Sequence, residues 1–171
     1  MSNEDNLELI QQIRNGIKKY LDLDDEHCYI YNNKWQKIND KNLYVVIGID
    51  SEEVLANNLN YTRTEEELIS HSSVLIETNF FIDFFSYNLE ARRRRFEVLS
   101  YLSSDECEFM SEQKAYRVYR IPHAFRDLST EEGNKILNRF RIDFKVHHSQ
   151  EFTKSSPYYD KLGGKKVSFN N

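Results

Sequence analysis

Cysteine is scarce: the 171 residues hold only Cys28 and Cys107. The two lie far apart, and neither has a second Cys or a His at zinc-ligand spacing, so both read as buried thiols in a reducing compartment. Apolar runs of membrane-spanning length are missing too. The start from Met1 to Leu7 is polar and acidic, with no charged segment ahead of an apolar one. The expectation is a protein neither secreted by a signal peptide nor embedded in a membrane. Also missing are a Gly-rich phosphate loop, a nucleophile elbow and a pair of histidines at helical metal spacing, so most hydrolase and nucleotide-binding chemistry fails at its first step. These absences leave no catalytic, metal-binding or cofactor-binding residue to expect.

What the chain does have is length enough for one domain and an aromatic surplus. Folding at this size buries roughly 70% of the surface that the unfolded chain exposes, so neither a metal nor a disulfide is needed for stability. Aromatic residues make up 13% of a sequence that is 30% charged, and eleven Tyr with eleven Phe need surfaces to pack on, in a core or at the buried centre of a partner interface. Charge is uneven along the chain. Residues 1–87 carry seven basic and sixteen acidic side chains, and residues 88–171 carry sixteen and twelve. A net −5 without a dominant basic stripe argues against a general nucleic-acid binder and allows complementary faces on identical neighbours.

Leu9, Ile10, Ile13, Ile17, Tyr20 and Leu21 recur at helical spacing, which predicts an amphipathic helix from about residue 4 to about residue 21. A short β-favouring run, 28–31, ends at Asn32-Asn33, and a second strand over 43–49 is apolar on both faces. From Asp50 to His71 periodicity dissolves, which predicts a long loop. Ser72–Tyr87 reads as a strand. Its even face, Val74, Ile76, Thr78, Phe80, Ile82 and Phe84, belongs to the core. Its odd face, Leu75, Glu77, Asn79, Phe81, Asp83 and Phe85, mixes aromatics with carboxylates and suits a surface covered by another chain. A helix after Asn88 carries Leu89, Phe96, Leu99 and Leu102 as its stripe, with Arg92, Arg93, Arg94 and Arg95 fanned around it. Ala115–Ile121 alternates until Pro122, and 128–134 is a loop. The clearest period-two signal is Ile136–Val146, with Ile136, Phe140, Ile142, Phe144 and Val146 inward, interrupted only by Asn138. Beyond His148 no periodicity survives, and Phe152, Tyr158 and Tyr159 mark an arm.

The predicted fold is therefore α+β. A mainly antiparallel sheet carries the N-terminal helix and a second helix on one face, with residues 1–148 as a single domain and 149–171 as an extended C-terminal arm. Leu75, Phe81, Phe85, Arg92 to Arg95, Phe152, Tyr158 and Tyr159 are the candidate subunit-interface residues. The sharpest enzymatic alternative is Asp143-Phe144-Lys145, whose first and third residues share a strand face, as the magnesium-holding carboxylate and the water-orienting lysine of restriction-type nucleases do. Arg139 and Arg141 continue that face as an ordinary polar ladder. Adjacent His147 and His148 point to opposite faces and cannot converge on one metal. A small regulatory protein-binding module is the other alternative.

With its elements in this order the chain resembles the neck or tail-terminator proteins of tailed bacteriophages. The likeness is carried by residues 74–85 (Val-Leu-Ile-Glu-Thr-Asn-Phe-Phe-Ile-Asp-Phe-Phe), the helix with Ala91 and its arginines, the strand ending near Pro122, and 138–144 (Asn-Arg-Phe-Arg-Ile-Asp-Phe). It covers about residues 1–148 in element order and 72–148 in motif. The chain departs from the family pattern at Ser86-Tyr87, where a small glycine is usual, and in its aromatic tail after residue 149. The resemblance implies a non-enzymatic virion protein, assembled in the host cytoplasm. It implies a homo-oligomeric ring, typically a hexamer, that terminates the tail or joins it to the head connector. Its implied partners are further copies of itself, portal or connector proteins and tail or tail-tube proteins, with no membrane. DNA would pass through the lumen without specific binding.

Overall fold

The computed structural model describes residues 3–31, 40–63, 67–133, 135–157, 161–162 and 165–166. In chain order the elements are α1 (Asn3–Tyr20), β1 (Cys28–Ile30), β2 (Tyr44–Arg63), β3 (Glu67–Ser86), α2 (Glu90–Leu102), α3 (Asp105–Gln113) and β4 (Tyr116–Tyr119). They continue with β5 (Arg126–Asp127), β6 (Thr130–Glu132), β7 (Lys135–Pro157), β8 (Lys161–Leu162) and β9 (Lys165–Lys166). The fold is α+β with a mainly antiparallel sheet. Its strand order is β1-β2-β3-β7-β4, with β5 and β6 also on β7, while β8 and β9 form a separate pair. β1 runs parallel to β2, and β4, β5 and β6 run antiparallel to β7. Three residues join β2 to β3, far too few for a parallel crossover, so that pair is antiparallel. Along β3 and β7 the side-chain bonds Asp83 to Arg141, Glu77 to His147 and His71 to Thr153 rise on one strand as they fall on the other, the mark of a second antiparallel pair.

The strands outrun their sequence signals. Where a loop was expected from Asp50 to His71, residues 50–63 are the distal half of β2 and 67–71 the start of β3, with 64–66 outside the described residues. Backbone pairing across the hairpin holds Asn-rich sequence extended where side-chain periodicity is weak. For the same reason β7 does not end near Val146 but runs to Pro157. The polar stretch 103–112 contains α3, started by Ser104 Oγ accepting from Cys107 N at 3.2 Å and helped by Asp105, Glu106 and Glu108 in its first turn. The predicted loop 128–134 contains β6, paired with β7.

The chain divides into two units, Met1–Glu53 with Glu77–His148, and Val54–Ile76 with Ser149–Asn171. In the first, the main core joins Ile13 and Ile17 of α1 with Leu21 just after it, Val98 and Leu102 of α2, Cys107 of α3, and Val45, Ile47, Phe80, Ile82, Phe84, Phe140, Ile142, Phe144 and Val146 of the sheet. The three helices thus lie on one sheet face. On the other face Tyr44, Val46 and Phe85 form a smaller cluster. α1 ends in a Schellman turn, with Leu23 N bonded to Lys18 O and Asp22 N to Lys19 O, and Asp22 at φ 51°. No helix among the described residues is long and apolar enough to cross a membrane.

The expected stripe of α2 needs correction. Leu89 and Phe96 are 52% and 53% exposed, and the buried residues are Ala91, Val98, Tyr101 and Leu102. At ~100° per residue these form a contiguous face, whereas Leu89 stands before the first helical residue. Asn88 serves the helix start as expected, its Oδ1 accepting from Glu90 N, while Ser86 Oγ accepts from Ala91 N. Asn138, the polar interruption in β7, donates its Nδ2 to Asn88 O at 2.8 Å and so satisfies a carbonyl at that same junction.

Candidate assembly surface

The odd face of β3 is covered by its own chain, which corrects the expectation that a neighbour covers it. Phe81 and Phe85 are each 4% exposed. Phe81 packs edge-on to Tyr31 and under the Arg141 guanidinium, 4.1 Å from its centroid, and a Cβ added to Gly48 would collide with its ring. Phe85 stacks on Tyr44 at 5.7 Å. Between these rings the carboxylates are paired across to β7. Asp83 accepts from Arg141 Nε and Nη2 at 2.7 and 2.6 Å and from Arg139 Nη2 at 2.7 Å. Glu77 accepts from Lys145 Nζ and from His147 Nε2, the latter at 2.9 Å, and these partners, Lys145 foremost, hold its carboxyl below the usual range. A mixed aromatic and acidic face thus becomes self-sufficient, because the adjacent strand supplies a matching row of cations.

The two residues of the nuclease alternative lie on that row. Asp143 is held by Arg126 and Lys145 by Glu77, so the two groups engage different partners although they share a face. Among the described residues no three His, Cys, Asp or Glu side chains are grouped to hold a metal ion.

The four arginines of α2 split as their helical fan requires. Arg94 turns inward, donating to Leu21 O at the C-terminal end of α1 and to Glu97. Arg95 lies over Phe96 and Phe140, 4.3 and 4.6 Å from their centroids. These two are half-buried braces within the chain, a correction to their reading as partner-facing residues. Arg92 and Arg93 remain exposed, Arg92 within 3.9 Å of Asp127. Leu89, Phe96 and Leu128 are exposed as well.

The second unit is built differently. It brings together the distal part of β2, the proximal part of β3 and the distal part of β7, with β3 between the other two. Asn57 Oδ1 accepts from Ser72 Oγ at 3.2 Å, tying β2 to β3, and His71 meets Thr153 at 3.5 Å, tying β3 to β7. Alternate residues along a strand share a face, so Leu55, Leu59 and Tyr61 lie on one side of β2. That side of the strand is largely apolar. Leu55, Leu59, Tyr61 and Phe152 are 44%, 53%, 62% and 38% exposed, and among the described residues none from this unit belongs to either hydrophobic cluster.

Of the candidate interface residues, Phe152 is exposed and Leu75 half-buried in this unit, and Arg92 and Arg93 are exposed on α2. Tyr158 and Tyr159 lie outside the described residues. Leu55, Leu59 and Tyr61 escaped the sequence reading because the asparagines between them mask an alternation of Leu, Asn, Leu and Tyr at odd positions. That alternation, with only three residues between β2 and β3, was the available signal. No protein-family model matches the chain, and no curated protein is significantly similar to it.

Proposed function

We propose that this protein is a structural assembly subunit, not an enzyme. In this reading it forms a homo-oligomeric ring, six-fold, at the neck of a tailed bacteriophage, where it terminates the tail or joins it to the head connector. The observation that supports assembly is the second unit: an antiparallel sheet whose strand β2 exposes Leu55, Leu59 and Tyr61 on one side, and none of whose described residues joins either hydrophobic cluster. A three-stranded sheet of this kind needs a covered face to be stable, and exposed apolar patches mark interaction sites. The neck location rests on the sequence resemblance over residues 72–148.

The deciding experiment mixes the purified protein with connector or tail-tube proteins and follows mass by light scattering coupled to size exclusion, with negative-stain imaging. Rings of uniform subunit number are expected. If no ring forms even with those proteins present, the reading fails.

A further inference from the structure

β1 pairs with β2 only at Val45, Val46 and Ile47, and among the described residues no other strand lies along that edge. The edge then continues through residues 54–62, Val-Leu-Ala-Asn-Asn-Leu-Asn-Tyr-Thr, all exposed. Natural edge strands are ordinarily blunted by lysine, proline or a bulge, since their free N–H and C=O groups are a template for another strand. This stretch holds no charged residue, no proline and no glycine.

We propose that in the free protein this edge is completed by the same edge of a second copy, running antiparallel about a two-fold axis at Asn58. In that register Leu55 stands opposite Tyr61 of the second copy, Asn57 opposite Leu59, Ala56 opposite Asn60, and Asn58 opposite itself. Every pair joins residues of the same face, so the apolar sides of the two β2 strands merge into one. The two ends also match. The register sets Glu53, an acid, against Arg63 of the second copy, a base, once at each end. Moving the axis to residue 57 or 59 keeps the faces but loses that match. Identical chains of net charge −5 repel one another in general, and this uncharged strand with complementary ends gives them a place to meet. A two-fold contact closes on itself, unlike the head-to-tail contacts of a ring. The pairing therefore covers the edge of the free subunit, and it does not depend on the ring reading.

Disulfide trapping tests both the partner and the register. Directly opposed residues in an antiparallel pair have Cα atoms about 4.5–5.5 Å apart, inside the range a disulfide spans. Cys28 and Cys107 are buried and stay out of the reaction. Under mild oxidation Asn58→Cys should convert to covalent dimer, Ala56→Cys alone should not, and Ala56→Cys mixed with Asn60→Cys should. Separately, Asn58→Pro should shift the wild-type dimer to monomer in light scattering and make the thermal transition independent of protein concentration. A wild type monomeric at every concentration, no covalent dimer from Asn58→Cys, or cross-linking of Ala56→Cys alone to the same extent would each overturn the proposal.

Discussion

Two segments of one strand, 44–47 and 54–61, are both rich in apolar residues and meet opposite fates. Tyr44, Val45, Val46 and Ile47 are 0–5% exposed, whereas Val54, Leu55, Leu59 and Tyr61 are 44–62% exposed. The first segment lies in a sheet that helices cover on one face and an aromatic cluster occupies on the other. The second lies in a sheet whose described residues reach neither cluster. Strand formation is common to both, because the backbone ladder forms wherever an adjacent strand is in register. Burial is not, because it needs a second layer. The comparison teaches that stability and association reside in different units of this chain and should respond to different substitutions.

The largest effect is expected in the covered unit. Phe80 is fully buried and stacks on Phe144 at 5.5 Å, and Phe80→Ala should cost about 3–5 kcal/mol. That corresponds to a fall of roughly 10 °C in the thermal transition of a chain this long. A shift below about 2 °C would mean that the core does not carry the fold, and the contrast between the units would break.

Next comes Asp83→Ala. The variant leaves the Arg139 and Arg141 guanidiniums without their shared carboxylate, and because both are partly exposed the loss should be roughly 1.5–3 kcal/mol, read as a lower denaturant midpoint. Unchanged stability with altered association would instead make this face an interface, against its pairing within the chain.

The smallest effect sharpens the comparison through pH. Burial pushes the His27 imidazole down, but its bonds to Asp24 (2.6 Å) and Asp40 (3.1 Å) outweigh that and raise its pKa. A folded pKa above the unfolded value of about 6.5 stabilises fully below pH 6.5 and loses the contribution as pH rises through the folded value. With both carboxylates largely solvated, His27→Asn should therefore cost roughly 0.5–1 kcal/mol at pH 6 and almost nothing at pH 9. An equal cost at both pH values would show that His27 acts through packing on Tyr44, 4.6 Å away, and not through charge.

Much of the fold was legible. Leu9, Ile10, Ile13, Ile17 and Leu21, the even face of β3 from Ile76 to Phe84 and the inward face of β7 from Phe140 to Val146 are buried where periodicity put them, whereas Tyr20 and Ile136 are 40% and 56% exposed and Val74 is half-buried. Periodicity was readable there because a covered face tolerates few polar residues. It failed over 50–62, where every residue is exposed and asparagine serves as well as leucine. The candidate surface was legible only at its margins, through Phe152 and the exposed pair Arg92 and Arg93. Phe81 and Phe85 looked like interface residues because their covering comes from Tyr31, Tyr44 and Arg141, distant in sequence.

By itself the sequence determined which residues could be inside: the 3.6-residue and two-residue repeats are local, and each follows from one element having one apolar face. Only the tertiary structure decided what covers what. The charge row of β7 meets the carboxylates of β3 through strand register, a long-range pairing that leaves no local trace. The apolar side of β2 from Leu55 to Tyr61 stays exposed because its unit holds no helix among the described residues, and whether a second layer arrives is a property of the whole chain.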